Sequence, residues 1–106
     1  MQLINLKNVE PREVQPGHCA RFVHSARMTV AHWRIDAGST IPEHDHPHEQ
    51  VVNVLAGRYE LTVAGEPLTL EPGMVVVIPS GVRHSGRALT DAILLDVFQP
   101  VREDYR

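Results

Sequence analysis

Seven of the 106 residues are histidines, and four of these, His44, His46, His48 and His84, stand where ligands to a metal ion could stand. His44 and His46 are two residues apart, so in an extended segment both imidazoles project to the same side. Gln50 has the same parity and can bring an amide oxygen to the same point. His84 arrives from a separate stretch, after an apolar run and the turn PSGVR. Two or three imidazoles with one oxygen leave positions free for water or substrate, which is the pattern of an open catalytic site. His48 competes with Gln50, because an imidazole is the better ligand and its parity also matches. Pro47 breaks that simple alternation, since proline cannot donate to a sheet ladder. Glu49 has the opposite parity and is expected to point away unless the strand is bulged there.

A neutral Gln50 would leave a divalent ion its full charge, where a carboxylate would reduce it. Such an ion is a stronger Lewis acid and is harder to oxidise. The set therefore favours polarising a carbonyl or hydroxyl over oxygen chemistry. One divalent transition metal is expected, and zinc, nickel, manganese and iron all suit these donors. His18, His24 and His32 are read as surface or satisfied core residues.

A second cluster lies in the C-terminal stretch ILLDVFQPVREDYR. Ile93, Leu95 and Val97 form one face of a strand, and Leu94, Asp96 and Phe98 the other. An acid in the middle of an apolar strand is costly unless it is paired or faces a cavity where it has chemistry to do. Asp96 could bridge Arg102 or another arginine structurally. Alternatively it works beside the metal as general base or acid. Arg102 could then offer its fork to a substrate carboxylate, and Phe98 is either an apolar wall to a sugar ring or simply core.

The elements that must hold these residues read as strands. Short runs rich in Val, Ile, Leu and Thr predict strands at His18–Ser25, Met28–Ile35, Gln50–Leu55, Arg58–Val63, Leu68–Leu70, Met74–Ile78 and Ala92–Phe98. Gly- and Pro-rich turns separate them, and no window shows a sustained helical repeat. An all-β sandwich or barrel follows. In Arg58–Val63, Tyr59, Leu61 and Val63 share one face. Met74–Ile78 is apolar on both faces and is expected to be a central strand covered on both sides. Trp33 and Tyr59 are expected in the core or at a dimer interface, and Cys19 as a small buried apolar residue.

At 106 residues the chain is the size of one domain. Ten Lys and Arg against 13 Asp and Glu give a net charge of −3. With no basic block, nucleic acid and anionic membrane are not expected partners. The longest apolar run is too short to span a bilayer, and the stretch QLINLKNVEPRE after Met1 lacks the apolar length of a secretory signal. A single cysteine precludes an internal disulfide and fits a reducing, cytoplasmic compartment. A barrel this short leaves a sheet face uncovered, so a homodimer is expected.

The segment GSTIPEHDH…Q…G, Gly38 to Gly57, resembles the first motif of the cupin superfamily, and GMVVVIPSGVRH, Gly73 to His84, resembles the second. Gln50 stands where many cupins carry a metal-binding glutamate, and Ala88 where the second motif often ends in asparagine. The resemblance implies a single cupin domain over residues 1–106, a double-stranded β-helix or jelly-roll barrel of the RmlC-like kind, often dimeric, with motifs at 38–57 and 73–88. The tail Leu-Asp-x-Phe-x-Pro-x-Arg-Glu-Asp-Tyr, at Leu95–Tyr105, is similar to the end of the KdgF-type pectin-degradation cupins. Those cupins use His-x-His, a glutamine and a later histidine for the metal. They imply linearisation of a 4,5-unsaturated uronate to a keto-uronate, with His44, His46, Gln50 and His84 on the metal and Asp96, Phe98 and Arg102 lining the substrate site. Two other cupin functions stay open: a metal-dependent dioxygenase, against which the neutral Gln50 counts, and a binding module for metal or sugar without catalysis. A metal-free sugar epimerase fits poorly, because it needs no intact His-x-His set.

Overall fold

The computed structural model describes residues 1–106. Ten strands follow in order: β1 (Arg12–Gln15), β2 (His18–His24), β3 (Thr29–Ile35), β4 (Thr40–His44), β5 (Glu49–Ala56), β6 (Tyr59–Val63), β7 (Glu66–Leu70), β8 (Val75–Ile78), β9 (His84–Ala88) and β10 (Ala92–Gln99). Single 3-10 turns lie at Leu6–Asn8 and Glu103–Tyr105. No helix is long and apolar enough to cross a membrane. All pairings are antiparallel. A six-stranded sheet runs β1-β2-β3-β10-β5-β8, and a four-stranded sheet runs β4-β9-β6-β7.

The two sheets pack through their period-2 inward faces. Trp33 and Ile35 of β3, Val52 and Val54 of β5, and Leu94 and Phe98 of β10 meet Tyr59 and Leu61 of β6, Leu70 of β7 and Ala88 of β9 in one core. Trp33 and Tyr59 are core residues, each 4 % exposed. Register sets the depth of every inward residue. On β10, Phe98 lies level with Gln50, Asp96 with Val52, and Leu94 with Val54 and Trp33.

All seven predicted strands form, and three more join them. β1 and β9 are mostly polar, and β4 carries Pro42, which is tolerated because β4 is the edge of its sheet. Gly86 interrupts β9 for a packing reason: a Cβ there would run into the ring and hydroxyl of Tyr59. Gly57 closes the β5–β6 turn at φ +78°, where a side chain would collide with the Asp91 carbonyl.

Two expectations are corrected. Met74–Ile78 is not a doubly covered central strand. Its strand portion, β8, is the edge of the large sheet, with Val75 54% and Val77 57% exposed and only Ile78 buried. Apolar residues on both faces do not by themselves supply a second covering layer. Cys19 is half-buried rather than buried, because the alternation of β2 turns it outward between the inward His18 and Ala20.

Candidate metal centre

His44 ends β4 and pairs in register with His84, the first residue of β9. His46 lies in the connection to β5, whose second residue is Gln50. The structure brings His44, His46 and His84 together, one ligand atom from each, all within 4.8 Å of one another. His46 and His84 are 7% and 4% exposed.

Each ring is turned by its own neighbourhood of backbone. The Nδ1–H groups of His44, His46 and His84 donate to the carbonyls of Pro42 (2.9 Å), His48 (3.0 Å) and Val82 (2.8 Å). A carbonyl only accepts, so Nδ1 carries the proton and each Nε2 keeps its lone pair for the centre. Burial, with Arg102 and His84 nearby, pushes His46 down to about 4, and burial lowers His84 as well. The His46 and His84 imidazoles are thus neutral near pH 7, as ligands must be.

These donors fit a cation. His84 Nε2 is buried with no hydrogen-bond partner. His46 Nε2 lies 3.0 Å from Gln50 Oε1, while the Gln50 amide nitrogen donates to Asp96 Oδ2 at 3.0 Å. With Asp96 ionised, the glutamine is held with its oxygen towards a neutral imidazole, and two lone pairs face each other. A positive ion between them removes that conflict, and two ligands ~2.1 Å from one ion at right angles stand ~3.0 Å apart. Gln50 therefore joins the histidine cluster, whereas His48 contributes its backbone carbonyl to orient His46.

Asp96 is 6% exposed, and its Oδ1 has no partner. Burial raises its carboxyl to about 7, against the pull of the Gln50 amide. The Trp33 indole N–H also favours the carboxylate, without reaching hydrogen-bonding geometry. The structural bridge from Asp96 to Arg102 does not form. Arg102 instead gives its Nε and Nη2 to the two carboxylate oxygens of Asp104, at 3.2 and 2.7 Å. Its guanidinium lies 4.0 Å from the Tyr105 ring centre and 4.9 Å from that of Phe98. Phe98 is 1% exposed, and its ring meets His46 edge-on at 5.7 Å.

One cavity of ≈ 50 Å³ is lined by His44, Gln50, Asp96, Phe98 and Arg102 together. An outer groove of ≈ 260 Å³ shares His44, Arg102 and Tyr105 with it. The sequence reading did not single out Tyr59, Trp33, Tyr105 or His18 as lining residues, although all four face the cavity. Strand alternation was the only signal that could have placed Tyr59 and Trp33 inward.

Comparison with known proteins agrees with this architecture. The cupin domain family model matches residues 31–98. An uncharacterized protein of Streptomyces coelicolor is 30% identical over 102 residues, covering 94% of this chain and 97% of its own. The pectin degradation protein KdgF of Dickeya dadantii is 30% identical over 79 residues, 74% of this chain and 71% of its own. Among solved structures, KdgF from Halomonas sp. superposes with a TM-score of 0.89 at 29% identity, covering 97% of this chain and 96% of that one. An RmlC-like cupin from Shewanella frigidimarina gives 0.93 at 25% identity, over 100% and 96%. From its two sheets, its two motifs and these relatives, the chain belongs to the cupin family, as a small RmlC-like jelly-roll cupin resembling the KdgF-type pectin-degradation proteins.

Proposed function

We propose that this cupin is a metal-dependent enzyme that opens the ring of a small 4,5-unsaturated uronate and releases a keto-uronate. One observation carries the reading: a single cavity joins His44 and Gln50, at the edge of the converging imidazoles, to a buried carboxyl near neutrality and an arginine beside an apolar ring. The similarity to a relative named as a pectin degradation protein supports this substrate class. His44, His46, His84 and the Gln50 oxygen would hold one divalent ion of the zinc, nickel, manganese or iron kind. When bound, it supplies Lewis-acid polarisation of a sugar oxygen.

Asp96 moves the proton. As the carboxylate it takes the proton of the anomeric hydroxyl, and the bond from C1 to the ring oxygen breaks with its electron pair on that oxygen. The enol so released takes a proton at C4 and becomes a ketone at C5. Atoms and electrons balance as an isomerisation, and a carboxyl titrating at about 7 is suited to both taking and returning a proton. Arg102 holds the C6 carboxylate, and Asp104 keeps the guanidinium in one orientation. Phe98 walls the ring. The test follows the conjugated absorbance of 4,5-unsaturated galacturonate with metal-loaded protein, chelated protein and buffer. Metal-dependent loss is expected; loss at the buffer rate with every metal overturns the reading.

The same proposal takes residues 1–106 as one cytoplasmic domain that pairs with a second copy. Its support is the outward face of the large sheet, where Val23, Val30, Val97, Val51 and Val77 lie in one register row across five strands. Leu55, Val75 and Ile93 extend that exposed apolar face. Sedimentation should give a dimer, and a monomer at micromolar concentration would exclude this pairing.

A further inference from the structure

We propose that Trp33, Tyr59 and the free oxygen of Asp96 form a hydroxyl-binding subsite at the floor of the cavity, beyond the metal centre. It deepens the uronate reading, since it gives the bound sugar a second anchor, and it is testable without that reading.

The floor is built by register. Trp33 pairs with Leu94, one inward position deeper than Asp96, which itself lies one position below Phe98 and Gln50. His18 enters from β2, where it pairs with Ile35. Tyr59 enters from the opposite sheet, and the bare Cα of Gly86 leaves room for its hydroxyl. Trp33, Tyr59, His18 and Asp96 all line the same cavity, and none is more than 6% exposed.

Three polar atoms of these residues have no hydrogen-bond partner: Trp33 Nε1, Asp96 Oδ1 and His18 Nδ1. Buried polar atoms are paired in the great majority of cases, so the concentration of Trp33 Nε1 and Asp96 Oδ1 on one small cavity points to a ligand group. The Tyr59 hydroxyl is fixed by His18 Nε2 at 3.2 Å.

Size and charge define that group. A cavity of ≈ 50 Å³ takes a substituent or a few waters, so the sugar ring must sit higher, towards the outer groove of ≈ 260 Å³. The cation of the cavity, Arg102, is tied to the exposed Asp104. The floor has a carboxyl and a neutral, buried His18, so an anion is disfavoured there. A hydroxyl matches: it accepts from the Trp33 N–H and donates to Asp96 Oδ1 or the Tyr59 oxygen.

Trp33 is the chain's single tryptophan, so its indole N–H gives one assignable amide-type resonance. Metal-loaded wild type and Tyr59→Phe are titrated with ethylene glycol, with acetate as the anionic control. A saturable shift of the Trp33 resonance with the diol is expected, weakened about three- to tenfold in Tyr59→Phe, with acetate shifting it little. No saturable shift in wild type overturns the subsite, and that measurement stands even if the variant does not fold. Equal diol affinity in both proteins also overturns it and leaves the floor as a water site that stabilises the fold. Turnover of 4,5-unsaturated galacturonate by wild type is measured separately. Its absence would remove the uronate reading and leave the diol result standing.

Discussion

The two sheets supply different chemistry in different ways. The small sheet offers imidazoles at strand ends: His44 closes β4 and His84 opens β9. Both are oriented by bonds to carbonyls two residues back in their own chain. The large sheet offers Gln50, Asp96 and Phe98 from strand interiors, aligned by the pairing of β10 with β3 and β5. Imidazoles fixed locally and acid–base groups fixed by long-range register should respond separately to mutation. The hydrogen-bonded bridge between them is the Gln50 amide, which touches His46 with one end and Asp96 with the other.

The strongest test of that separation sets His84→Ala against Asp96→Asn. Losing an imidazole should lower metal affinity by more than about 100-fold and remove activity with it, since even partners of ligands contribute 10- to 100-fold. Asp96→Asn still accepts from Gln50. It should keep bound metal, measured by elemental analysis, while turnover falls about 10²- to 10⁴-fold. Loss of metal in both variants would show that the two sheets form one inseparable unit.

Arg102 gives the next largest effect. Its planar fork is held by Asp104 between two rings, a geometry that an ammonium cannot reproduce. Arg102→Lys should raise KM for the uronate about tenfold and change kcat much less. Asp104→Asn should raise KM by a smaller factor, because the fork is loosened and its charge is kept. A kcat loss without a KM change would move Arg102 from substrate binding to proton transfer.

The same contrast explains what could be read from residue order alone. Spacing of two put His44 and His46 on one side and placed Asp96 with Phe98, because parity is a local property of an extended chain. The strands that carry His44 and His84 were not legible. β4 holds a proline and β9 is mostly polar around Gly86, whose role is to admit a tyrosine 27 positions earlier in the chain. Trp33, His18 and Tyr59 converge from three strands of two sheets, and nothing in their own neighbourhoods marks that meeting. β8 was misread for a related reason: its valines are apolar, but what covers them is decided outside the strand.

The smallest expected effect concerns acid stability of the metal-free protein, where the two regions pull in opposite directions. Asp96, raised from 3.8 to about 7, contributes stability that is full below 3.8 and lost as pH rises through about 7. His46, lowered from 6.5 to about 4, contributes stability present above 6.5 and lost as pH falls through about 4. His84 and His18 are lowered too and add to the histidine side. With chelator present, the Tm of wild type between about pH 7 and about pH 4 should therefore reflect a histidine loss offset by the gain from the carboxyl. Asp96→Asn should lose more Tm over the same range, because the opposing contribution is gone. The gap between the two Tm curves should widen as the pH drops. Parallel curves would mean that Asp96 does not hold a proton in the folded protein at neutral pH, and with that the large sheet would lose its acid.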